Sequence, residues 1–174
     1  MNRLVLTVCC CIFIAGCATP AARQQMVSQP IQAGTKLNPT LYEAVIVRQV
    51  TGGQQTNPLW TSQVSTEEFK GALIDSLRAY GYGTTDQNKG KFVLDADLKA
   101  LKQPLFGFTF EVTSVVEYRL NYAGGGKVIP ITAVGSAAVS EAFLGTERLR
   151  IANERSIKEN IKLFMEKLSS EIVR

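Results

Sequence analysis

FVLDADLKAL, residues 92–101, and FTFEVTSVVEYRLNY, residues 108–122, both alternate apolar and polar side chains. In the first, Phe92, Leu94, Ala96, Leu98 and Ala100 share a side, and Asp95, Asp97 and Lys99 oppose them with Val93. In the second, Phe108, Phe110, Val112, Ser114, Val116, Tyr118, Leu120 and Tyr122 share a side, against Thr109, Glu111, Thr113, Glu117, Arg119 and Asn121 with Val115. A period of two predicts strands. One apolar and one polar face is typical of antiparallel sheets with a wet side. The stretch QPLFG, residues 103–107, makes the turn between them.

Working outward, EAVIVRQV at 43–50 is rich in β-branched residues and predicts a first strand that ends at Gly52-Gly53. Ser65 with Glu68 three residues later forms a capping box, and Val64 and Phe69 occupy the staple positions. Phe69, Ala72, Leu73, Leu77 and Tyr80 then recur at helical spacing, and Gly81 stands where a helix is closed by glycine. Downstream, AGGG at 123–126 predicts a turn into a fourth strand at 127–140. Pro130 cannot donate to a ladder, so that strand lies at an edge or begins after it. A helix follows from Thr146 to Ile172, with a kink or break expected near Asn153. Its stripe is Leu149, Ala152, Ile157, Ile161, Phe164, Met165, Leu168 and Ile172. The order β-α-β-β-β-α predicts an α+β two-layer sandwich. It would be a mostly antiparallel four-stranded sheet with two helices on one face.

The first residues, MNRLVLTVCCCIFIAGC, set the address. Arg3 precedes an apolar run, Leu4 to Ile14, too short to span a bilayer, and small Ala15 and Gly16 precede Cys17. The tetrapeptide Ile14-Ala15-Gly16-Cys17 resembles the lipobox of bacterial lipoproteins. That resemblance implies cleavage between Gly16 and Cys17 and acylation of Cys17. The other three of the four cysteines, Cys9, Cys10 and Cys11, fall in the segment that would be removed. No disulfide would then be possible. The expected organisation is a signal peptide at 1–16, a lipidated cysteine with a flexible tether at 17–40, and one domain at 41–174. Such a tether would reach roughly 25 Å. The alternative is that part of it, such as Met26-Val27, packs on the domain. Several acyl chains hold a protein stably on a membrane surface. Ala18 in place of an aspartate after the cysteine resembles the pattern of lipoproteins sorted to the outer membrane, which implies a site facing the periplasm.

The 174 residues are 45% hydrophobic and carry a net charge of +4, as expected of one globular domain. Histidine is absent. That excludes Ser-His-Asp and Cys-His catalysis and His-ligated zinc or iron. No metal or cofactor is expected. Asp95 and Asp97 lie about 6.5–7 Å apart on one strand face, a separation a glycosidase pair can use. The alternative is a solvated face shared with Lys99, Glu111 and Glu117. Gly52-Gly53 and Gly124-Gly125-Gly126 lack phosphate-loop spacing and predict turns. Arg148, Arg150 and Arg155 sit with Glu147, Asn153 and Glu154 at the start of the last helix. They suit either bidentate binding of a partner's anionic groups or a salt-bridged helix face. Leu105 and Phe106 stand at a hairpin tip, where polar residues are expected. They point to contact with a membrane or a protein, or to a tip folded back on the helices. Nucleic acid is not an expected partner, because basic and acidic residues are interspersed.

The lipobox, the short tether and the element order together resemble small proteobacterial envelope lipoproteins. The order is similar to that of LptE-like and YajG-type lipoproteins. The stretches at 57–65 (NPLWTSQVS), 103–108 (QPLFGF) and 147–154 (ERLRIANE) resemble lipoproteins with no settled activity. The expected function is therefore non-enzymatic. The chain would be a lipid-anchored binding or assembly factor for an envelope protein or glycolipid. An envelope hydrolase using Asp95, Asp97 or Glu111, and a purely structural subunit of an envelope complex, are the alternatives.

Overall fold

The alternating stretches form two long strands of one sheet. This is a computed structural model, and it describes residues 18–30, 37–57 and 61–171. The sheet contains β1 (Val45–Thr51), β2 (Phe92–Lys102), β3 (Thr109–Tyr122) and β4 (Gly125–Ala138), in that spatial order. β2, β3 and β4 form an antiparallel meander, whereas β1 lies parallel to β2. The sheet is thus mixed, with two antiparallel pairings and one parallel. The parallel pairing follows from the intervening helix, which returns the chain to the end where β1 began. β4 is an edge strand, and it carries Pro130 as an edge strand can.

Both helices cover one face. α2 (Thr66–Ala79) packs over β1, and α3 (Gly145–Glu171) lies across β3 and β4. The Ser65 hydroxyl caps α2 by accepting the Glu68 amide at 3.1 Å. At its other end Gly81 adopts φ 71°, and the Tyr82 amide returns to the Leu77 carbonyl at 2.8 Å. That is the glycine closure expected. Leu94, Val116, Tyr118 and Leu120 from the sheet meet Phe69, Leu73, Leu77, Ile157, Ile161 and Phe164 from the helices in the core.

The strands depart from strict alternation in three places, one of them Tyr122, which is exposed at the end of β3. A bulge between Leu98 and Ala100 shifts the register, so Leu101, opposite Ser114, joins the core side in place of Ala100. Phe108 lies just outside β3 and is exposed, whereas Phe110 is buried.

The segment after the lipobox also departs from the flexible tether expected of it. Met26 is completely buried, and Ala18 and Ala21 are buried too. A short helical turn, α1 (Arg23–Met26), packs against both α2 and α3. Arg23 makes a bidentate pair with Asp75, at 2.6 Å for both bonds, and the Ser28 amide donates to the Ser76 hydroxyl at 2.9 Å. The physical reason is local. One apolar side chain suffices to hold a short segment when it fills a gap between two helices, and burying a methionine stabilises by roughly 1.5–3 kcal/mol. The alternative weighed for Met26-Val27 is therefore the arrangement found.

The buried face of α3 is partly polar. Ser156 and Asn160 are fully buried beside Ser114 and Tyr118 of β3. The Tyr118 hydroxyl donates to Asn160 Oδ1 at 3.0 Å, and Asn160 Nδ2 reaches the Ser114 hydroxyl at 3.1 Å and the Ile131 carbonyl at 3.3 Å. The Ser156 hydroxyl bonds the Ser114 hydroxyl at 2.8 Å. Gly135 allows the close approach, since a Cβ there would stand 2.1 Å from the Ser156 nitrogen.

Candidate contact surface at one end of the sheet

Two connections meet at the end where β2 leaves the sheet and α3 begins. One is the hairpin tip at 103–108, and the other is the loop at 139–144. The Val139 amide donates to the Phe108 carbonyl at 2.8 Å and joins them. Below the tip, Gln103 fixes the hairpin base. Its amide donates to the Ser62 carbonyl at 2.9 Å and to Asn153 Oδ1 at 2.8 Å, while Asn153 Nδ2 donates to the same Ser62 carbonyl at 3.0 Å. Gly107 adopts φ 143°, which a side chain would strain. The second loop is fixed by Glu141, which accepts from the Ala138 amide at 3.0 Å and from Arg155 at 2.5 Å.

These anchored loops hold apolar side chains out into solvent. Leu105 is 92% exposed, Phe106 85%, Phe108 83% and Phe143 87%. Leu144 and Val139 are exposed beside them. The tip therefore does not fold back onto the helices. Between the tip and the start of α3 lies an open cleft of about 510 Å³, lined by Thr61, Leu101, Leu105, Phe110 and Leu149. Phe143 and Leu144 were missed in the sequence. The signal was available, because AFLG at 142–145 is an uncharged apolar stretch between a strand and a helix.

The three arginines have separate fates. Arg150 pairs with Glu147 and Glu154, at 2.5 Å to each. Arg155 pairs with Glu141 and donates to the Ser136 carbonyl at 2.7 Å. Arg148 is buried, with its guanidinium 4.8 Å from the centre of the Phe110 ring and its Nε without a partner. The salt-bridged helix face is thus the arrangement that Arg150 and Arg155 adopt. The hydrogen bond from Arg150 holds Glu147 below the usual carboxylate range. Arg155 and the Ala138 amide together pull Glu141 down to about 2.

The outer face of the sheet is laced with ion pairs. Arg48 pairs with Asp95, and Lys99 with Asp97, which also accepts from the Thr51 hydroxyl at 2.9 Å. Each carboxylate is held below its ordinary value, Asp95 chiefly by Arg48 and Asp97 chiefly by Lys99. A general acid requires the opposite shift. Glu111 is exposed on the same face. Among the described residues there is no group of three or more potential metal-ligating side chains. Among the same residues no helix is long and apolar enough to cross a membrane. Gly16 and Cys17 lie outside the described residues.

Solved structures share this fold. The chain is similar to a minor lipoprotein from Acinetobacter baumannii, with a TM-score of 0.51 and 14% identity, covering 75% of this chain and 93% of that one. It is similar also to a Xanthomonas campestris protein of the DUF330 family, with a TM-score of 0.50 and 8% identity, covering 83% and 95%. At such identities the likeness is one of fold. No family model matches the sequence, and no curated protein matches it.

Proposed function

We propose that this chain is a lipid-anchored cell-envelope lipoprotein that acts by binding, as a contact or assembly factor for an envelope protein or glycolipid. The observation that carries the reading is the end formed by 103–108 and 139–144. There the backbone is fixed by Gln103 and Glu141 while large apolar side chains stay uncovered. Exposed apolar clusters of this kind mark contact sites. The lipobox residues Gly16 and Cys17 supply the anchor, and the fold shared with a protein named a minor lipoprotein agrees with it. The finer likeness to LptE-like and YajG-type lipoproteins rests on element order alone. An outer-membrane site facing the periplasm belongs to the same proposal.

A hydrolase on the sheet face is disfavoured by the ion-paired, acid-shifted Asp95 and Asp97. The test is photocrosslinking in intact cells from a photoreactive residue at Leu105, against one at Gln87 on a distant loop. Capture from 105 and none from 87 is expected. Asp95→Asn and Asp97→Asn should leave an envelope-sensitivity phenotype fully rescued. Loss of rescue with folding intact would put the hydrolase first.

A further inference from the structure

We infer that the apolar end is seated on the lipid surface that receives the acyl chains of Cys17, so that anchor and loops enter one membrane together. The inference rests on the lipid-anchored reading above and names the partner of that same end.

The path of the segment after the lipobox carries the argument. The Arg23 amide donates to Glu68 in the first turn of α2, Arg23 pairs with Asp75, the Ser28 amide meets Ser76, and the Gln29 carbonyl accepts from Tyr80. Residues 23–29 therefore run along α2 from its start to its end. They run the same way along α3, because the Ala22 amide is bonded to Glu154 at 2.8 Å, while Gln29 shares a hollow with Lys162. Upstream of Ala22 the chain leads back toward the start of α2. The Ala21 amide donates to the Gln63 carbonyl, and the Gln63 side chain bonds Gln103 at the base of the hairpin. The described chain thus enters the domain at the apolar end.

Little chain separates them. Cys17 directly precedes the buried Ala18 in the sequence. With residues 21–29 held against the helices, the long reach of a free tether is gone. A bilayer holding the Cys17 acyl chains must lie close to this end of the domain.

The composition of the two loops fits that surface. LFGF at 105–108 and AFLG at 142–145 contain no charged residue. They present separate apolar projections, which a fluid lipid interface accommodates without a matched pocket. The opposite end differs, with the polar TTDQNKG at 84–90 and AGGG at 123–126, and its exposed rings, Tyr42 and Tyr122, each carry a hydroxyl. Apolar side chains beside an acyl anchor add buried area to an association that acylation begins.

The experiment uses the acylated chain in vesicles of phosphatidylethanolamine with a minority of phosphatidylglycerol. The mature chain has one cysteine, and acylation occupies it, so Phe106→Cys introduces a single thiol for a nitroxide. Phe143→Cys is a second reporter in case the first variant misfolds, and Gln87→Cys is the distant control. Oxygen should relax the label at 106 or 143 several-fold more effectively than a water-soluble nickel chelate, with the order reversed at 87. Labels at 106 and 143 as open to the chelate as the label at 87 would overturn the inference. If these labels are aqueous while Leu105 still crosslinks a protein in cells, the lipid surface is wrong and the binding reading stands. If the labels are aqueous and nothing is captured, both fall.

Discussion

The middle of the helix–sheet interface and the end of the sheet invert each other's chemistry. In the middle, where apolar side chains are the rule, Ser114, Ser156, Asn160 and Tyr118 are buried and joined by hydrogen bonds. At the end, where turns are usually polar, Leu105, Phe106, Phe108 and Phe143 face solvent. The contrast separates two tasks. Buried polar groups that are fully bonded fix how one element sits on another, because any slip leaves them unpaired at a cost. Exposed apolar groups do nothing for the isolated fold and have value only when something covers them.

The largest effect is expected in the middle. Gly135→Val would drive a side chain into the Ser156 nitrogen and the Ala152 carbonyl, both backbone atoms that cannot rotate away. Overpacking of this kind costs about 3 kcal/mol, to be read as a lowered urea midpoint. Removing the segment ahead of residue 41 comes next. A chain beginning at 41 loses the burial of Met26, about 1.5–3 kcal/mol, and the Arg23–Asp75 pair. It should still unfold cooperatively, but at a lower temperature than a chain beginning at 18. Asn160→Ala then leaves the Tyr118 hydroxyl and the Ile131 carbonyl without their side-chain partner. A cost of about 2 kcal/mol is expected, again by denaturant titration.

The same contrast explains what the sequence disclosed. Both alternating strands, the capped α2, the edge position of β4 and the long α3 follow from period and punctuation, which depend on neighbours in the chain, but α3 runs unbroken through Asn153, whose side chain is bonded to Gln103 and Ser62. The parallel pairing of β1 was less visible, because it depends on where α2 returns the chain. The segment at 18–30 looked like a tether because it has no apolar period. Its hold comes from Met26 and Arg23 meeting partners some fifty residues away, which no local pattern records. Asn160 and Ser156 were overlooked for the converse reason. Their apolar neighbours Ile157 and Ile161 define the stripe, and polar residues beside a stripe ordinarily face water. At the candidate site, Leu105 and Phe106 were legible as apolar residues in a turn. Phe143 and Leu144 were legible only as an uncharged apolar stretch, since their nearness to the hairpin comes from the pairing of Val139 with Phe108.

Smaller effects are expected at the end and on the rim. Phe106→Asp places a charge on an exposed tip, so stability should change by no more than about 0.5 kcal/mol, while crosslinking in cells is lost. The acid limb of stability should be smaller still. Glu141, Glu147, Asp95 and Asp97 all have folded values below their unfolded ones. Their contribution is complete above the unfolded carboxylate range and is lost as pH falls through the folded values, for Glu141 from 4.5 toward about 2. Exposed pairs contribute little. Melting followed across that range should therefore decline gently, and Glu141→Gln should flatten part of the decline.

Amide hydrogen exchange tests the central claim most directly, because it reads both regions in one sample. The acylated chain in phospholipid vesicles is compared with the same chain left unacylated in buffer. Amides around Ser114, Tyr118 and Asn160 should be slow in both states. Those at 105–108 and 143–144 should be fast in buffer and slow in vesicles, with the Thr85 and Gln87 amides on the distant loop fast throughout. Exchange at 105–108 and 143–144 that vesicles leave unchanged, or protection that appears at Thr85 and Gln87 instead, would contradict the account.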